Sequence, residues 1–135
     1  MRTLAAALAV VIGVTLILAV SVWLASESGE VIVLRTYDQA GGPHDTRIWV
    51  VEDGGALWVR AGRPANAWYR RLLATPTVDV TRGGTVMAAR AVPSRDAAQR
   101  DRIHALMAAK YGLADRFISL LRDGSQSVPI RLDPR

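Results

Sequence analysis

Thr46-Arg47-Ile48-Trp49-Val50-Val51-Glu52-Asp53-Gly54-Gly55-Ala56-Leu57-Trp58-Val59-Arg60-Ala61-Gly62 reads as two strands joined by a tight turn. An Asp-Gly pair between alternating apolar runs is a strong short-range hairpin signal. With the loop either at Asp53-Gly54 or across Glu52-Asp53-Gly54-Gly55, Val51 is predicted to face Ala56. Trp49 then faces Trp58, and Arg47 faces Arg60. Side chains alternate along a strand, so Ile48, Val50, Leu57 and Val59 form a core face. Arg47, Trp49, Trp58 and Arg60 share the other.

Two guanidinium groups directly across a strand pair repel each other. A bound phosphate would compensate, and two adjacent indoles offer flat apolar surface to an aromatic ring. An aromatic cofactor with a phosphate tail suits both features. The competing uses of this face are a solvated surface with Arg stacked on Trp, a homodimer contact and a membrane contact. Just beyond, Arg60-Ala61-Gly62-Arg63 leaves the strand through a glycine, and a short helix capped at Asn66 aims its free amides back at that turn. Helix N-termini favour anions. Trp68 on that helix has packing as its commonest use.

Working outward, strands are expected over 31–36, 46–51, 56–61, 77–81, 85–92 and 127–132, the last demoted to a sheet edge by Pro129. A loop covers 37–44. Helices are expected after Asn66, from Ser94 to Gly112 with Ile103, Leu106, Met107 and Lys110 on one face, and over 113–121. Short strands with a few helices imply an α+β domain built on a small barrel or curled sheet.

The opening residues are of a different kind. Residues 4–25 carry no charge and are built mainly from Leu, Ala, Val and Ile. That length of helix spans the ~30 Å hydrocarbon layer. Trp23 falls at the depth of an interfacial anchor, and Ser26-Glu27-Ser28-Gly29-Glu30 ends the span. A cleaved signal peptide would have a shorter apolar region, with Ala19-Val20-Ser21 as its best cleavage site. The apolar run continues past that point, which favours an uncleaved single-pass membrane anchor over 1–26 and a separate domain over 27–135. Arg2 precedes the span, while Glu27 and Glu30 follow it, a pattern that favours an external domain. The charge bias is small and long domains can translocate regardless of it, so the side of the membrane stays open.

Charge narrows the function classes. Seventeen Lys and Arg stand against twelve Asp and Glu, for a net charge of +5. The excess suits anionic small molecules or acidic headgroups. The charges are interleaved with acids, which argues against a nucleic-acid binder. There is no Cys, hence no disulfide and no thiolate site. His44 and His104 are the only histidines and match no metal-ligand spacing, so no metal is expected. His44 reads as a solvated loop residue and His104 as a surface one. The pairs Gly41-Gly42, Gly54-Gly55 and Gly83-Gly84 read as turns.

Three runs taken together carry a family resemblance: Thr46 to Val51 as quoted, Leu57-Trp58-Val59-Arg60-Ala61-Gly62, and Ala67-Trp68-Tyr69-Arg70-Arg71-Leu72-Leu73-Ala74-Thr75-Pro76-Thr77-Val78. They resemble the deazaflavin-dependent nitroreductase and quinone reductase family, of the split β-barrel group that includes pyridoxamine phosphate oxidase. Lys110-Tyr111-Gly112 is a weaker echo. The resemblance implies a split β-barrel with flanking helices, behind the N-terminal transmembrane helix. It also implies a cofactor groove at Arg47, Arg60, Ala61, Gly62, Trp68 and Tyr69, beside the Trp49 and Trp58 indoles. Where that family usually carries G-R-x-S-G, this chain has Gly41-Gly42-Pro43-His44-Asp45. The cofactor stays open between deazaflavin (coenzyme F-420) and FMN, with a haem-type ring or no cofactor as the remaining readings.

The function so implied is a membrane-anchored oxidoreductase that reduces quinone- or nitro-type substrates by hydride transfer. Tyr69 is the candidate to hydrogen-bond a substrate oxygen, and an anchor suits a lipid-soluble quinone. The alternative is a non-catalytic split-barrel module that binds a small anionic ligand or a partner at the membrane.

Overall fold

The computed structural model describes Arg2 to Arg135, and for residues 2, 3 and 21–28 it describes the backbone alone. The helix α1 (Arg2–Ser28) covers the long apolar run. The domain that follows contains strands β1 (Val31–Tyr37), β2 (Pro43–Trp49), β3 (Val51–Asp53), β4 (Ala56–Ala61), β5 (Thr77–Arg82), β6 (Thr85–Pro93) and β7 (Val128–Pro134). Helix α2 (Ala67–Ala74) lies between β4 and β5, and α3 (Ala97–Tyr111) and α4 (Leu113–Leu121) lie between β6 and β7.

All seven strands form one antiparallel sheet in the order β2-β1-β5-β6-β7-β4-β3. Its two ends, β2 and β3, are neighbours in sequence, separated by Val50 alone. The ends of the sheet are thus two arms of one bent strand, and the sheet must curl into a barrel to accommodate it. Val50 is fully buried, and the bend removes its peptide groups from the ladder. The Tyr111 hydroxyl takes their place. It accepts from the Val50 N–H at 3.0 Å and lies 2.9 Å from the Val50 carbonyl and 2.5 Å from that of Glu30. Lys110 donates to the same Val50 carbonyl at 2.7 Å. The Lys110-Tyr111-Gly112 echo is therefore a plug for the strand bend.

The barrel is filled by Ile32, Leu34, Val59, Val78, Val80, Ile130 and Leu132, with Trp68, Tyr69 and Leu72 of α2 packed against them. The predicted core face holds: Val50 and Val59 are fully buried, and Ile48 and Leu57 pack against the same cluster. A second cluster forms outside the barrel wall, where Ile103, Met107 and Tyr111 of α3 cover Val51 and Trp58.

Several expectations need correction. The hairpin register is displaced by two residues, with Val51 opposite Trp58 and Asp53 opposite Ala56. The turn is Gly54-Gly55, both at positive φ (58° and 77°), the two-residue geometry that suits the twist of paired strands. Pro43 and His44, assigned to a loop, belong to β2, which also takes in Asp45. The last strand is central rather than an edge, paired to both β6 and β4. Pro129 is tolerated because its carbonyl accepts from Ser94 N–H just beyond the last β6–β7 pair, Pro93 with Ile130. A strand residue's N–H and C=O point to the same side, so the missing donor of Pro129 costs no ladder bond. Asn66 stands before α2 but makes no side-chain cap hydrogen bond.

The transmembrane expectation over 4–25 is not met among the described residues, where no helix is long and apolar enough to cross a membrane. The part of α1 whose side chains are described runs over 4–20. The roles assigned to Trp23, to Arg2, to Ser21 of the cleavage site and to the polar end at Ser26, Glu27 and Ser28 lie outside the described residues.

Candidate functional site

β2, the end of β4 and α4 enclose a cavity of about 310 Å³ whose lining includes Arg47, Trp49, Arg60, Gly62, Ile118 and Arg122. Three guanidinium groups from three elements converge on it. Arg47 and Trp49 come from β2, where their backbone partners are Val33 and Val31 of β1. Arg60 comes from β4, opposite Pro129. The predicted cross-strand pairs Arg47–Arg60 and Trp49–Trp58 do not form, because the chain bends at Val50 and β2 turns to β1. The shared face survives in part, since Arg47, Trp49 and Arg60 still open on one cavity.

Of the five remaining positions of the expected groove, Gly62 lies at the cavity and the other four are placed elsewhere. A side chain added at Gly62 would come within 2.6 Å of an Arg122 Nη1 atom, so the bare backbone lets that guanidinium lie close against the chain. Ala61 is fully buried in the barrel core, and Trp58 is 7% exposed beneath α3. Trp68 is buried in the barrel core, edge-on to Tyr69 with ring centroids 6.3 Å apart. Tyr69 lines a separate groove with Ser94, Arg95 and Ser127, away from the three arginines.

The charge on Arg60 is answered from inside the protein. Its Nη2 donates to Asp115 Oδ1 at 2.6 Å, and the two side chains are only 12% and 5% exposed. Its Nη1 lies 2.6 Å from His104 Nδ1. With a guanidinium donating to Nδ1, the imidazole carries its proton on Nε2, which faces Ser127 Oγ at 2.9 Å and the Gly124 carbonyl at 3.1 Å. Burial, and then the Arg60 charge, push the His104 imidazole below its ordinary pKa and keep it neutral. His104 is thus a part of the site's support rather than a surface residue. His44, by contrast, sits exposed on β2 against Asp38 at 2.9 Å.

The indole of Trp49 is stacked on Tyr111, with centroids 4.4 Å apart and planes within 6°. One of its faces is therefore taken. Near the same wall, Glu30 accepts from Arg82 and Lys110, and these contacts, Arg82 first, hold its carboxyl down to about 2.

Asp115 and Arg122 were missed in the sequence, and with them the way α4 closes the cavity. The available signal was Asp115 itself, an acid flanking an apolar helix stripe. Chemically, the site brings Arg47 and Arg122 to one cavity beside Arg60, whose charge is met by Asp115. It suits a phosphate or carboxylate beside a half-covered aromatic surface.

Comparison with known proteins gives the architecture a context. A family model described as an uncharacterized protein conserved in bacteria (DUF2255) matches residues 24–132. No curated protein matches. Among solved structures, a putative pyridoxamine 5'-phosphate oxidase from Listeria innocua is 19% identical with a TM-score of 0.60, covering 87% of this chain and 94% of that one. The heme storage protein HutZ from Vibrio cholerae is 19% identical with a TM-score of 0.61, over 85% and 88%. A protein described as an F420 reductase is 18% identical with a TM-score of 0.54, over 79% and 87%. At these identities the likeness establishes the fold, a split barrel of the pyridoxamine-phosphate-oxidase type.

Proposed function

We propose that this chain, which belongs to the DUF2255 family over residues 24–132, binds a phosphate-bearing aromatic redox cofactor, deazaflavin (coenzyme F-420) or FMN, in the cavity between β2 and α4. The observation that carries the reading is the convergence of Arg47, Arg60 and Arg122 on one cavity that also holds Trp49 and Gly62. The residues fit such a group best at its phosphate end. Arg47 and Arg122 would hold the phosphate, and Asp115 with His104 would keep Arg60 in place behind it. The exposed side of Trp49 would border the ring. The cofactor would supply hydride transfer, and the protein would bind, orient and shield it.

The neighbours with F420 reductase and pyridoxamine phosphate oxidase descriptions are consistent with a flavin or deazaflavin, and the HutZ likeness keeps a haem-type ring in view. We further infer reduction of quinone- or nitro-type substrates by a domain held at a membrane through a single N-terminal pass. Support for the anchor is the uncharged run over 4–25, which α1 presents as a continuous helix. One observation favours the non-catalytic module instead: Tyr111 already stacks on Trp49, so a small anion alone would satisfy the site.

Fluorescence titration of the full chain with FMN and with coenzyme F-420 separates the two readings. Binding of either, weakened about ten-fold or more by Arg47→Ala or Arg122→Ala, is the expected result. Failure of both cofactors at high micromolar concentration, with inorganic phosphate still bound, leaves the module.

A further inference from the structure

We propose that the outer face of α4 lies on an anionic lipid surface and holds the mouth of the arginine cavity beside the bilayer, an inference that rests on the membrane anchoring proposed above. Leu113, Phe117, Leu120 and Leu121 are 75%, 50%, 85% and 68% exposed. At spacings of four, seven and eight they form one stripe along the helix. The helix turns Ala114 and Asp115 inward instead. A stripe of this kind in water is an interaction surface.

Three observations select lipid as its occupant. α1 touches α4, and Leu8, Val11, Leu16, Ile17 and Val20 on it are all more than half exposed. A second copy seated on α4 would cover the stripe and leave these side chains in water; a bilayer takes both. The charges agree. The acid of α4 is buried and paired with Arg60, whereas Arg116, beside the stripe, and Arg122, at the helix end, are exposed cations. Apolar side chains flanked by Arg are the composition of an interfacial helix on anionic headgroups. Finally, Ile118 and Arg122 line the cavity, so docking α4 would open the site toward the layer that carries lipid-soluble substrates.

The test uses the full chain, which has no natural cysteine. Phe117→Cys, Leu120→Cys and, as an exposed reference on β6, Val86→Cys are each labelled with an environment-sensitive fluorophore. They are then mixed with phosphatidylcholine–phosphatidylglycerol vesicles containing a doxyl-lipid quencher. Quenching at 117 and 120 and none at 86 is expected. Arg116→Gln should lower the ratio of docked to undocked probe about five-fold, as loss of one cation from an anionic surface does. A chain that floats with the vesicles but leaves both probes in water overturns the docking and spares the anchor. A chain that does not float overturns both. Disulfide capture between Leu120→Cys copies without quenching assigns the stripe to a second copy, and equal quenching on pure phosphatidylcholine removes the anionic requirement.

Discussion

α3 and α4 are consecutive helices hinged at Gly112, and they use their apolar residues in opposite ways. α3 turns Ile103, Met107 and Tyr111 into the wall of the barrel, where all three are buried. α4 leaves Leu113, Phe117, Leu120 and Leu121 outside and buries Asp115, 4% exposed, against Arg60. Large apolar side chains recur at helical spacing in both, yet they mark the core in one and the surface in the other. What decides is the ion pair. An arginine presented by β4 beneath α4 needs a counter-charge, so α4 docks through its acid and its small residue. The lesson is that a helix stripe names a face without naming what covers it.

The largest effect is expected from removing the ion pair that orients α4. Asp115→Ala leaves a buried guanidinium unanswered and is expected to cost about 3–5 kcal/mol, read by urea denaturation. Replacing both partners, Arg60→Met with Asp115→Leu, should recover most of it. A loss of under 1 kcal/mol for Asp115→Ala would show that α4 is positioned by something else. On the α3 side, Ile103→Ala should cost about 2–5 kcal/mol through the cavity it leaves. Tyr111→Phe removes the hydroxyl that serves Val50 and Glu30, with an expected cost of about 1–3 kcal/mol. Chemical denaturation of each variant checks both figures.

Glu30 ties the joint after α1 to the barrel through Arg82 and to α3 through Lys110. Its folded carboxyl titrates near 2, below the ordinary value of 4.5. The stability it contributes is therefore present above pH 4.5 and is lost as the pH falls from there through 2. Glu30→Gln should flatten the acid limb of a stability-against-pH curve over that window, and an unchanged limb would remove Glu30 from the account. The smallest effect belongs to the exposed stripe. Leu120→Ser should change stability by no more than about 0.5 kcal/mol, measured by thermal or chemical unfolding in the absence of vesicles. A cost near that of Ile103→Ala would mean that the two helices are alike after all.

Much of the fold was legible because parity is robust. The hairpin register was displaced by two residues, and a shift of two leaves each side chain on its own face. Val50, Leu57 and Val59 were therefore placed in the core for a sound reason even though their partners were wrong. The displacement arises because both readings of the turn, Asp53-Gly54 and Glu52 to Gly55, are centred one residue before the Gly54-Gly55 pair that adopts positive φ. The bend at Val50 could not be read locally, since its hydrogen bonds come from Lys110 and Tyr111, some sixty residues on. The candidate site was half legible for the same reason. Arg47, Trp49, Arg60 and Gly62 lie close together in sequence. Asp115 and Arg122 reach them only through the placement of α4, and His104 only through the side of α3 that β4 meets.

The position of β7 has a consequence for how the molecule is built. β7, which follows the other six strands in sequence, stands in the middle of the sheet and joins β6 to β4. Before it arrives, β2-β1-β5-β6 and β3-β4 are two separate flaps connected at Val50. Pairings such as Leu57 with Leu132 and Ala91 with Leu132 cannot form while β7 is still inside the ribosome. Chains that emerge N-terminus first therefore expose α1 to its surroundings while the barrel is unsealed. Closure of the barrel waits until β7 has left the exit tunnel.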